Sequence, residues 1–164
     1  EDEALVIDKW FTLQATAPAT TVARVRELMT HPAFTLKNPN RARSLLFAFC
    51  NNNPAQFHAP DGSGHAFWAE QVIALDAINP QVAARLARAL DRWRKFVPAL
   101  QASMKSALEH VAATKKLSND VAEVIGKALG ISHRTVEIYR ARLMRKYRAH
   151  TTTELVQKLM AGQT

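Results

Sequence analysis

The chain has 164 residues, 48% of them hydrophobic, with 7 Pro and 5 Gly; this excludes a disordered chain and fits one or two folded domains. No apolar run approaches the ~20 residues needed to span a bilayer, no charged-then-apolar leader opens the chain, and the single cysteine, Cys50, excludes an internal disulfide, so a cytoplasmic protein with no membrane partner is expected. The net charge of +8 gathers at one end: residues 115–164 hold 10 Lys/Arg against 4 Asp/Glu, whereas residues 1–114 hold 12 against 10. A basic end is the footprint of a polyanion binder, and equally that of a solvated cationic face.

In chain order the pattern is helical throughout, without strand alternation. Around residues 3–15, Leu5, Val6, Trp10 and Leu13 fall on one side of a helix. "TTVARVRELMTHP" offers Thr20 or Thr21 as a cap, a stripe of Val22, Val25, Leu28 and Met29, and Pro32 as a stop. "NPNRARSLLFAFCNNNP" starts with Asn38 as cap and Pro39 at the first helical position, and ends at an Asn run before Pro54. "HAPDGSGH" carries turn chemistry and reads as a loop. It leads into a helix with Phe67, Trp68, Val72, Ile73 and Leu75. Asn79-Pro80 repeats the Asn-Pro start, with a stripe of Val82, Leu86, Leu90, Trp93 and Val97 and an opposite face of Arg85, Arg88, Arg92 and Lys95. Pro98 opens a helix with Leu100, Met104, Leu108 and Val111 one turn apart.

From Leu117 the character changes. Ser118 caps a helix carrying Val121, Val124, Ile125 and Leu129, and Gly130 ends it. Ser132 caps the next helix, which runs to about Tyr147. Thr151 with Glu154 makes a capping box before Leu155, Val156, Leu159 and Met160. The expected fold class is all-α: a helical solenoid-like bundle followed by a helix-turn-helix, joined through a shared helix.

Catalytic signatures are missing from this sequence. It has no His-Glu-x-x-His, no cysteine pair and no phosphate-cradling glycine loop. His58 and His65 flank the Asp61–Gly64 loop, which offers too few further ligands for a metal. "DGSGH" lacks the spacing and preceding strand of a nucleophile elbow. Cys50, inside "LLFAFC", reads as a small buried hydrophobe. No cofactor and no catalytic residue are expected.

The strings "NPNR", "NPAQFHAPDGSG" and "NPQVAARL", in that order, together with the later "LSNDVAEVIGKAL", resemble the extreme C-terminal end of the bacterial aminopeptidase N family of zinc metallopeptidases, over about residues 4–129. The resemblance implies a non-catalytic helical module, with the zinc ligands and catalytic glutamate of that family absent from this chain. "IGKALGISHRTVEIYRARLMRK", followed by "TTTELVQKLMA", resembles the LuxR/FixJ-type helix-turn-helix of bacterial response regulators, over about residues 125–160. That resemblance implies a recognition helix that enters the major groove of double-stranded DNA. It places Glu137, Ile138 and Ala141 toward bases, Arg134, Thr135, Tyr139, Arg142 and Lys146 toward phosphates, and Val136, Leu143 and Tyr147 inward. It also implies a homodimer through residues 152–160, for which packing of the last helix onto the body is the alternative.

Two departures stand out. Where that family has its scaffold helix, this chain has the peptidase-like "PALQASMKSALEHVAATKKLSN", and "KYRAH" replaces a turn that carries glycine in the family. The chain therefore reads as a non-catalytic chimeric or engineered fusion: a peptidase-type module over 1–117, a shared connecting helix over 118–129, and a partial helix-turn-helix over 130–164. Sequence-specific DNA binding is the expected function, and a rigid structural fusion without activity is the alternative.

Overall fold

Asparagine, serine and threonine caps, proline at first helical positions and two left-handed glycines decide where the helices begin and end. The computed structural model describes residues 2–132, 135–146 and 152–161, with the side chains of Glu137 and Thr152 outside that description. Every regular element among the described residues is helical. They form two compact units, Glu1–Ala59 and Pro60–Thr164. The boundary expected at residues 117/118 lies inside the second unit.

The first unit comprises α1 (Asp2–Thr16), α2 (Val22–Leu28), α3 (Pro39–Ala42), a π-helical turn (Arg43–Phe47), α4 (Ala48–Asn52) and α5 (Pro54–Phe57). Thr21 caps α2 by accepting from the Arg24 N–H at 3.3 Å, and Asn38 Oδ1 accepts from Asn40 and Arg41 at 3.0 and 3.3 Å. Phe11, Ala15, Val25, Leu28, Leu45, Leu46, Phe49 and Phe57 fill the core. Buried Asn53 joins the helix ends: its Nδ2 donates to the carbonyls of Ala15 and Ala17 at 2.9 and 3.0 Å. Cys50 is buried, which pushes its thiol far up from the ordinary range. Leu5, Val6, Trp10 and Leu13, expected together on one side of α1, form its exposed side (67%, 66%, 38% and 62%), and Phe11 with Ala15, one turn apart, face the core. Helix α1 carries apolar residues on both sides, so periodicity alone selected the more populated stripe rather than the buried one.

The second unit comprises α6 (Ser63–Asp76), α7 (Pro80–Ala87), two short 3-10 turns (Arg88–Leu90 and Trp93–Lys95), α8 (Pro98–Ala112), α9 (Asn119–Leu129), α10 (Val136–Lys146) and α11 (Thr152–Ala161). Helix α6 packs on α7 and α8, α9 packs on both α7 and α8, and α8 also meets α10 and α11. Helix α6 begins inside the expected loop. Asp61 Oδ1 accepts from the Ser63 N–H at 2.9 Å, and Gly62 sits at φ +76°, where a Cβ would lie 2.8 Å from Ser103 Oγ. His65 is therefore not a loop residue: it is buried in the first turn of α6, with Nδ1 2.7 Å from Ser103 Oγ. Phe67, Trp68, Val72, Leu75, Leu86, Leu90, Met104, Leu108 and Val111 form the core, each large side chain contributing about 1.5–3 kcal/mol. The Trp68 indole N–H donates to the Leu86 carbonyl at 2.8 Å. Asn79 caps α7 as expected, but the stripe beyond it stops at Trp93, because the 3-10 turns break the 3.6 period and leave Val97 61% exposed.

Candidate nucleic-acid interface

Helix α9 is held at both ends by the residues before it. At its start, Ser118 Oγ accepts from the Val121 N–H at 3.2 Å. The Ser118 N–H donates to Asp76 Oδ2 at 2.8 Å, and its hydroxyl donates to Asp76 Oδ1. At its end, Gly130 takes φ +78°, its N–H donates to Lys127 O at 3.2 Å, and the Ile131 N–H donates to Gly126 O at 2.7 Å. That is a Schellman closure, which satisfies carbonyls the helix leaves orphaned. The Trp93 indole and the Arg94 guanidinium both donate to the Ala128 carbonyl, at 2.9 and 2.7 Å, and the guanidinium lies 4.5 Å over the Trp93 ring.

After the turn, the N–H and the hydroxyl of Thr135 donate to the Ser132 carbonyl at 3.0 and 2.8 Å, and α10 begins at Val136. Its inner side holds Val136 and Leu143, both buried. Ala113, Leu143, Leu155 and Leu159 form one buried cluster, with Tyr139, Met144 and Val156 packed against it. Its outer side holds Ile138, 54% exposed, with Ala141, Arg142, Arg145 and Lys146. Ile131, Ser132, Thr135, Ile138, Tyr139 and Arg142 line an open groove of about 310 Å³ between the turn and the helix. An exposed apolar side chain beside cations suits a surface that meets base edges and phosphates.

Of the residues assigned to bases, Ile138 and Ala141 lie together on that outer side, and the side chain of Glu137 lies outside the described residues. Of those assigned to phosphates, Arg142 and Lys146 are exposed and Thr135 lines the groove, while Arg134 lies outside the described residues. Tyr139 is half-buried, and its hydroxyl donates to Glu109 Oε1 at 3.1 Å, which directs it to α8 rather than to a phosphate. Tyr147 and Thr151 also lie outside the described residues. Helix α11 packs against α8 and α10, burying Leu155 and Leu159 inside the chain.

In the place of the family's scaffold helix the sequence puts the peptidase-like segment that begins at Pro98. Helix α8 stands there, and Trp93 and Arg94 join it from the preceding turn. Ala107, Leu108, Glu109, His110, Val111 and Ala112, at the end of α8, are all buried, so this stretch is covered on every side. On the other side of α9, a cleft of about 620 Å³ sets Arg85, Arg88 and Lys127 against Asp91, Asp120 and Glu123. Burial raises the Asp91 carboxyl, opposed by Arg88 and Lys127. Its balanced charges give no preference for an anion or a cation. No group of three or more metal-ligating side chains occurs among the described residues.

Fold and site define a class: stacked helical hairpins whose last helices form a helix-turn-helix with a cationic second helix. Residues 1–130 match the family described as "Domain of unknown function (DUF3458_C) ARM repeats", and the chain belongs to that family. Residues 118–159 match "Bacterial regulatory proteins, luxR family", so the two matches overlap across α9. Aminopeptidase N of Escherichia coli (strain K12) is 50% identical over 126 residues, covering 76% of this chain and 14% of that protein. Aminopeptidase N of Caulobacter vibrioides is 46% identical over 129 residues, covering 78% of this chain and 15% of that protein. A crystal structure of Legionella pneumophila aminopeptidase A in complex with aspartic acid matches with a TM-score of 0.73 and 35% identity, covering 78% of this chain and 15% of that one. The chain thus spans about a seventh of the length of these relatives, and it corresponds to the non-catalytic C-terminal region of aminopeptidase N.

Proposed function

We propose that the chain binds double-stranded DNA in a sequence-dependent way through α10, as a non-catalytic chimera in which an aminopeptidase N-type helical module and a LuxR-type unit share α9. One observation carries the reading: α10 buries Val136 and Leu143 and turns Ile138, Ala141, Arg142, Arg145 and Lys146 outward, within the segment that matches the luxR family. Glu137, Ile138 and Ala141 read base edges, and Arg134, Thr135, Arg142 and Lys146 hold phosphates. Tyr139 leaves the phosphate set because its hydroxyl is engaged by Glu109. A homodimer through residues 152–160 is not part of the proposal, since Leu155 and Leu159 are occupied within the chain. The compartment proposed is the cytoplasm, where bacterial DNA lies.

The test is a salt-titrated shift assay on duplex DNA. Three cations on phosphates predict an affinity loss of roughly 40-fold between about 50 and 200 mM salt. Replacing Arg142 and Lys146 by alanine weakens binding on every sequence and flattens the salt slope by about 2, whereas Glu137→Ala changes sequence preference. Absence of binding at low salt defeats the reading. It leaves the second one, a rigid structural fusion without activity, which the match of residues 1–130 to a non-catalytic region favours.

A further inference from the structure

We propose that Glu109, on the peptidase-type helix α8, is a positioning residue that sets the rotation of the recognition helix α10 by holding the Tyr139 hydroxyl. The inference rests on the DNA-binding reading for its consequence, and on geometry for its substance. The Glu109 side chain is 6% exposed, and Lys105 Nζ, on the same helix, stands 3.9 Å from its Oε1. Tyr139 reaches the same oxygen at 3.1 Å from across the α8–α10 contact. A buried carboxylate left without donors is costly, so the hydroxyl and the carboxylate hold each other in place.

The position of the link explains its effect. Tyr139 and Leu143 are four residues apart, so they lie on one face of α10, one turn above the other. Leu143 is fixed by an apolar cluster with Ala113, Leu155 and Leu159, and such contacts tolerate sliding and turning because they are non-directional. The Tyr139–Glu109 bond supplies a directional second point. Each residue of a helix turns its side chain by about 100°, so a rotation of a fraction of that angle swings Ile138, Ala141 and Arg142 away from any fixed line of bases. The DNA-facing side is thereby set by a carboxylate that lies in the peptidase-type segment, outside residues 118–159.

The test uses the full chain and two readouts. Amide hydrogen exchange along α10 is measured without DNA, with α6 and α7 as internal controls. Glu109→Ala and Tyr139→Phe are each expected to speed exchange in α10 about three- to tenfold. The double variant should go no further than either single one, because both remove the same bond. Glu109→Gln keeps an oxygen that accepts the hydroxyl while losing the charge near Lys105, and it should restore exchange to the starting rate. The second readout is the ratio of affinities for a selected duplex and a random-sequence pool: Glu109→Ala should narrow that ratio more than it weakens binding to the pool. Additive effects of the two single variants, unchanged exchange in α10, or Glu109→Gln behaving as Glu109→Ala would overturn the inference. Coupled exchange with no DNA binding defeats the DNA reading alone, and DNA binding with uncoupled exchange defeats this inference alone.

Discussion

His110 follows Glu109 in α8, about 100° further round the helix. It is buried, and its Nδ1 has no hydrogen-bond partner among the described residues. Burial lowers its pKa from the ordinary histidine value, with Glu70 opposing the shift. The folded chain therefore resists the proton that the unfolded chain takes up as pH falls below about 6.5. In that window the unfolded state binds more protons, so stability rises with pH and is lost on acidification, by at most about 1.4 kcal/mol per pH unit for one such group. His110→Leu removes the proton site. Urea midpoints measured between about pH 7 and 5 should fall less steeply for the variant than for the parent chain, and parallel curves would contradict the assignment. Buried Asn53 differs from His110 in that both ends of its amide are engaged: Nδ2 by the Ala15 and Ala17 carbonyls, and Oδ1 by the Gln56 N–H at 3.4 Å. Side chains of this kind are hard to find in a sequence. The Asn run before Pro54 announces a helix end, but not which of three asparagines turns inward.

At the scale of single helices, local chemistry was readable wherever it acts locally. Asn38, Asn79 and Ser118 were recognisable as caps because a short oxygen acceptor two or three residues before free N–H groups needs nothing from the rest of the fold. Gly130 was recognisable as a stop for the same reason. At φ +78° it adopts a conformation that costs any other residue about 1 kcal/mol or more. Gly130→Ala should lower the unfolding free energy of the second unit by about that amount. The expected cause is backbone strain, since among the described residues a Cβ there would meet only the Arg94 Nη2, at an ordinary 3.6 Å. Chemical denaturation checks the figure; a loss of several kcal/mol would mean that the turn, with its double donation from Trp93 and Arg94 to Ala128, had come apart. Those two donors lie 34 and 35 residues before their acceptor. No periodicity joins residues so far apart in sequence, which is why the far end of α9 was legible as a stop but not as an anchored one. The outward side of α10, with Ile138, Ala141, Arg142 and Arg145, was legible from its motif, whereas the inward turn of Tyr139 toward Glu109 was not.

For the molecule as a whole, the divisions drawn by sequence likeness and by packing differ, and the difference makes a prediction. The luxR match covers residues 118–159, but the compact unit that contains it begins at Pro60. The cluster under α10 and α11 includes Ala113, at the end of α8, and α8 contacts both helices. Without α8, residues 118–164 would keep α9, α10 and α11 but lose the surface on which the last two are laid. Chains this short rarely bury enough apolar area to offset the conformational entropy of folding. A polypeptide of residues 118–164 should therefore show weak helicity and a broad, non-cooperative thermal transition, whereas one of residues 60–164 should unfold in a single sharp transition. Circular dichroism on the two distinguishes the cases. If residues 118–164 unfold cooperatively, the helix-turn-helix carries its own core and α8 is only a neighbour. If residues 60–164 fail to fold, the second unit draws essential stability from the first. The expected result, folding of the longer piece alone, would mean that a peptidase-type helix serves as the scaffold of the luxR-type segment. The packing already supports this, because Leu143, Leu155 and Leu159 are buried in a cluster that the luxR-matching segment does not complete by itself.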